Sequence, residues 1–157
     1  MREPRLAQIA LACLAEPGSS AVAQLVAEHG PVEALARVRV APAGRSQAPG
    51  RITPDEVPAM VKQLARTGVR VVVPGDDEYP SQLGELPEPP LALWVRGPLD
   101  LRAAALRSVA LVGSRACTAY GERVAVGLGG ELAERDWAVV SGGAFGIDAA
   151  AHRGALG

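Results

Sequence analysis

Two stretches of this 157-residue chain carry residue types that could do chemistry: Val109-Ala-Leu-Val-Gly-Ser-Arg115 and Val139-Val-Ser-Gly-Gly-Ala-Phe-Gly-Ile-Asp148. Each is a short apolar run that breaks into glycine and serine before helix-compatible sequence. In an open α/β sheet, ligands bind beyond the carboxyl ends of the strands. Small residues there let backbone N–H groups approach a phosphate or another anion. At Gly113-Ser114-Arg115 the glycine admits close approach and the serine adds a hydroxyl. The arginine adds a permanent charge with a planar fork of donors. The competing reading is an ordinary turn with a surface arginine. Ser141-Gly142-Gly143-Ala144-Phe145-Gly146 is a second turn of the same kind. Its glycines have the wrong spacing for the dinucleotide fingerprint, and no P-loop Gly-Lys-Ser/Thr is present. If the two strands are neighbours, the turns lie side by side, and these nine residues are the candidate binding set. Phe145 could stack on a base or serve as a packing residue. Asp148 and His152 share a helix face, which suits a helix-start carboxylate or a local ion pair better than a metal site.

The elements that must position these turns can be read from apolar spacing. Residues 5–38 read as helical: Leu6, Ile9, Ala10 and Cys13 recur at helical spacing, and Pro17-Gly18 interrupts. A second helix is expected to end at His29-Gly30, with Pro31 opening a short third one. Residues 41–52 read as a loop. Thr53-Pro-Asp-Glu56 resembles a capping box, with Pro58 delaying the helix that contains Met60, Val61 and Leu64. Val69–Val73 and Leu91–Val95 read as strands, joined by an acidic, proline-rich linker over 75–90. A short helix is expected around Leu99–Leu106.

Val109–Val112 and Trp137–Val140 are the third and fourth strands. Between them lies a helix capped by Thr118, with Tyr120, Val124, Leu128 and Leu132 on one face. Gly127, Gly129 and Gly130 each cost that helix roughly 1 kcal/mol relative to Ala, and close packing on a sheet is the expected compensation. Strand–helix–strand implies parallel pairing with a right-handed crossover. Another helix starts at Ile147 and runs to Leu156. The expected fold class is α/β: a small helical domain over 1–67, then the first part of a doubly wound parallel sheet over 68–157.

Bulk properties limit the possibilities. Apolar residues make up 48% of the chain, so a packed core is expected and global disorder is not. Net charge is −1, and residues 97–157 carry six Arg against six Asp and Glu, so any anion site must be local. Cys13 and Cys117 form no C-x-x-C pair, which argues against a zinc or redox motif. No signal peptide stands out and no run approaches the ~18 apolar residues that span a membrane, so a cytoplasmic protein without a cofactor is expected.

Taken in order, Asp77-Glu-Tyr-Pro80, Pro89-Pro90-Leu-Ala-Leu-Trp-Val-Arg-Gly97, Val109–Arg115, Tyr120-Gly121, Val139–Asp148 and Ala151-His152-x-Gly-Ala-Leu156 resemble the DNA-processing protein A family, DprA, also called Smf. The resemblance is close over roughly 69–157. The helical start is more loosely similar to the family's small N-terminal domain, which is related to sterile-alpha-motif or helix–hairpin–helix folds. The resemblance implies an extended Rossmann-like domain that dimerises in the full-length protein. It also implies binding of single-stranded DNA, and loading of RecA onto it in natural transformation or recombination, rather than enzymatic activity. It assigns Gly113, Ser114 and Arg115 to the family's Gly-Ser-Arg turn, where the arginine contacts the DNA backbone. Ser141, Gly142, Ala144, Gly146 and Asp148 fall on its Ser-Gly-x-Ala-x-Gly-Ile-Asp turn. Gly143 departs from the apolar residue usual there, and Asp136-Trp137 replaces a helix-ending glycine. The family's later Arg-Asn-Arg and Lys-Ser-Gly segments do not occur, so the chain reads as an N-terminal portion. Two rivals are a phosphoribohydrolase of the LOG type, whose Pro-Gly-Gly-x-Gly-Thr turn has no match here, and a protein-interaction module over residues 1–65.

Overall fold

The computed structural model describes residues 3–40 and 53–157 and divides into two compact units, Met1–Leu99 and Asp100–Gly157. The loop expected over 41–52 lies outside the described residues.

In the first unit, α1 (Glu3–Leu14) buries Ile9 and Leu11 completely. The second helix, α2 (Ser20–Val40), is broken at Gly30, which takes a positive φ of 75° directly before Pro31. The break falls where glycine and proline predict an end and a new start. Thr53 donates its N–H and its hydroxyl to the Glu56 carboxylate, both at 2.7 Å, over a 3-10 turn at Pro54–Glu56. The α-helix proper, α3 (Val57–Arg66), begins only then. Pro58 therefore sits in the first turn, where no N–H is needed.

Strands β1 (Val69–Val72) and β2 (Leu93–Arg96) pair antiparallel, with Val71 opposite Trp94. Val71, Val73 and Ala92 join Ile9, Ala10 and Val57 in one core cluster. These strands thus pack on the N-terminal helices, and the division expected after residue 67 falls inside the first unit. The acidic segment between the strands is tied to the same core. Its short helix α4 (Ser81–Gly84) follows Tyr79, which is buried and donates its hydroxyl to the Pro90 carbonyl at 3.0 Å. Asp76 accepts the Val73 N–H at 2.9 Å and pairs with Arg5.

The second unit opens with α5 (Leu101–Leu106), capped by the Asp100 carboxylate, which accepts the Ala103 N–H at 2.8 Å. Strands β3 (Ser108–Ala110) and β4 (Ala138–Val140) pair in parallel, Val109 opposite Val139. Between them runs α6 (Ala119–Ala133), whose Thr118 hydroxyl caps the Gly121 N–H at 3.1 Å. The last helix is α7 (Ile147–Leu156).

The glycines of α6 pack closely on a helix, where close packing on a sheet was the expected compensation. Tyr120 is 71% exposed, and Val124 and Leu128 are exposed too, so that apolar stripe does not face the core. The buried stripe is Ala125 and Gly129, pressed against α7 rather than against a sheet. A Cβ at Gly129 would run into the Ala151 carbonyl, and one at Gly154 into the Val126 carbonyl. The two helix backbones approach so closely that only hydrogen fits between them.

The end of α6 is a Schellman arrangement. The Trp137 N–H reaches the Leu132 carbonyl at 3.0 Å, and the Asp136 N–H reaches the Ala133 carbonyl at 2.9 Å. Asp136 takes the left-handed position with φ 58°, which glycine usually fills. Among the described residues no helix is long and apolar enough to cross a membrane.

Candidate functional site

Parallel pairing of β3 and β4 brings both glycine-serine turns to one end of the sheet. The Leu111 N–H continues the ladder to the Val140 carbonyl at 3.0 Å. Residues 113–115 and 141–146 therefore leave adjacent strands side by side. They also touch. A Cβ on Gly113 would lie 2.8 Å from Ile147 Cγ1, and one on Gly146 would collide with the Ser114 and Arg115 carbonyls. Gly146 and Gly143 both take positive φ, 82° and 70°, a backbone shape that side chains resist. The Ile147 N–H closes the contact by donating to the Ser114 carbonyl at 3.1 Å.

Asp148 holds the two turns together. Its side chain is only 6% exposed. One carboxylate oxygen accepts the Gly113 N–H at 3.2 Å and the other accepts the Gly142 N–H at 3.1 Å. Burial alone would push its pKa up. The hydrogen bonds from the Gly113 and Ala144 N–H groups, from the Ser141 hydroxyl and from the Gly142 N–H outweigh it and hold the carboxyl below its ordinary 3.8. Ser141 Oγ donates to the Leu111 carbonyl at 2.6 Å.

This geometry sorts the nine candidate residues. The N–H groups of Gly113, Gly142 and Ala144 already have an anion, the protein's own Asp148. Gly146 is the contact point between the turns. What faces outward is Ser114, the Arg115 side chain, Gly143 and Phe145, which is 85% exposed. Arg115 makes no ion pair or hydrogen bond through its guanidinium among the described residues. Arg153, by contrast, pairs with Glu122. Among the described residues no three His, Cys, Asp or Glu side chains converge as metal ligands would.

The residue whose part was hardest to foresee is Asp148. A carboxylate in the first turn of a helix ordinarily answers that helix's own N–H groups. Here it answers N–H groups of the turns instead, reaching the one after β3, 35 residues earlier in the chain.

Comparison with known proteins yields one family. The family described as DNA recombination-mediator protein A matches residues 70–157, more than half of the chain. The chain is 46% identical over 160 residues to a DprA of Mycobacterium tuberculosis (strain ATCC 25618 / H37Rv), covering 93% of this chain and 41% of that protein. It is 30% identical over 101 residues to the DNA processing protein DprA of Bacillus subtilis (strain 168), covering 64% and 34% respectively. Protein Smf of Escherichia coli (strain K12) is 43% identical over 86 residues, covering 54% and 22%. The chain thus spans about two-fifths or less of the length of these relatives.

Proposed function

From the premise that this chain belongs to the DNA recombination-mediator protein A family, we propose that its paired turns bind single-stranded DNA through phosphates and bases, as a binding function and not a catalytic one. The observation that carries this reading is the outward set on the stapled turns. Arg115 offers a guanidinium without a partner among the described residues, Ser114 a hydroxyl, and Phe145 an exposed ring on the turn that leaves the neighbouring strand. A phosphate on the arginine and a base on the ring are the two contacts that sequence-independent single-strand binders combine. Double-stranded DNA offers no open base face to such a ring. The near-neutral charge of the chain fits a small local contact and does not fit a broad basic channel.

In this reading β3, α6, β4 and α7 are the first part of a Rossmann-like sheet, and the N-terminal helices are a sterile-alpha-motif-like module. Protection of the strand, handover to RecA and dimerisation belong to the whole protein. The test is fluorescence anisotropy with a labelled oligothymidine at fixed salt. Phe145→Ala should weaken binding about 5- to 150-fold, the range of one lost base–aromatic stack at ~1–3 kcal/mol. Arg115→Ala should weaken it several-fold. Unchanged affinity in both variants would overturn the assignment.

A further inference from the structure

The first unit carries an open groove of about 160 Å³, lined by Ala12 and Ala15 of α1, Pro90, Trp94, Glu16 and Glu88. It belongs to the first unit and the turns at 113–115 and 141–146 to the second, and its chemistry is opposite. Trp94 lines the groove and is 44% exposed, while its strand partner Val71 is buried. Pro90 is fixed from behind by the Tyr79 hydroxyl on its carbonyl. The Glu88 carboxylate stands over the turn at Gly18, 3.7 Å from where a Cβ would be. Neither Glu16 nor Glu88 has a cationic partner for its side chain among the described residues. Asp76 and Glu78 nearby in sequence are paired with Arg5 and Arg70, whereas Glu16 and Glu88 bring two carboxylates without such a partner among the described residues to the groove itself.

We propose that this groove docks a segment of another protein that presents an arginine between apolar residues. The guanidinium would stack on the Trp94 ring and meet Glu16 and Glu88, with its apolar neighbours on the alanines and Pro90. Arginine fits better than lysine because it is planar, weakly hydrated and stacks on aromatic faces. The volume is well below the ~300–1,000 Å³ of small-molecule sites and suits one side chain. Two carboxylates in its lining disfavour a phosphate-bearing ligand.

The test uses the ¹⁵N-labelled chain titrated with acetyl-Ala-Leu-Arg-Leu-Pro amide, and with the same peptide carrying neutral citrulline for arginine. The arginine peptide should shift the Gly18 and Ser19 amides and the Trp94 indole signal, and leave Gly113 and Gly142 in place. Citrulline, or the double variant Glu16→Gln/Glu88→Gln, should weaken binding about fivefold or more. No shift with the arginine peptide, equal binding of the two peptides, or undiminished binding by the double variant would overturn the proposal. Shifts of these same signals by an oligothymidine would overturn it in favour of a nucleic-acid surface. None of these outcomes bears on the Arg115 and Phe145 assignments.

Discussion

At the scale of residues, Asp148 decides how the site is built. Its carboxylate replaces the bound anion that a cluster of turn N–H groups would otherwise attract, so ligand contacts fall to the side chains outside. Because its pKa is depressed in the folded protein, it stabilises the fold at pH values above its ordinary 3.8. That contribution is lost as pH falls through the folded-state value. Asp148→Asn should lower the thermal midpoint by several degrees near pH 7, since an amide cannot accept from all its present donors. The difference from the parent should shrink on acidification below about pH 4. Thermal melts across that range check both. An equal deficit at every pH would show that the charge is not what matters. Ser114, Arg115 and Phe145 were legible as candidates from residue type alone. The burial of Asp148 was not, because a carboxylate two residues into a helix looks the same whether it faces solvent or a second turn.

At the scale of elements, the glycines of α6 and α7 divide by what lies opposite them. Gly154→Ala gains about 1 kcal/mol of helix propensity, but its Cβ would meet the Val126 carbonyl. Backbone cannot yield as a side chain does, so the net effect should be a loss of about 1–3 kcal/mol. Gly127 has open space around it, so Gly127→Ala should stabilise by about 0.5–1 kcal/mol. Asp136→Gly should also stabilise, by up to about 1 kcal/mol, because it relieves a left-handed residue at a helix end. Urea unfolding of the three variants tests these signs together, and a gain for Gly154→Ala would contradict the close helix contact. Thr118, Thr53 and Pro31 announced their helix starts because caps and prolines act locally. The direction of the α6 stripe was hidden because its large residues follow the helical period whether they face a core or solvent. Only the partner helix reveals that the small residues pack.

At the scale of the whole molecule, two units carry opposite surface chemistry. Met1–Leu99 presents carboxylates around an apolar groove, and Asp100–Gly157 presents an arginine and a phenylalanine on stapled turns. The parallel strand pair was legible from two apolar runs flanking a capped helix. The attachment of β1, β2 and the acidic segment to the N-terminal helices was not, because it rests on long-range contacts such as Arg5 to Asp76 and Tyr79 to Pro90. The central claim is that the paired turns meet single-stranded DNA, and amide mapping during titration of the ¹⁵N-labelled chain with an oligothymidine tests it most directly. The account predicts that shifts concentrate at residues 113–115 and 143–146, leave 1–99 unmoved, and fade as salt is raised. Shifts confined to the first unit, or none at low salt, would contradict it.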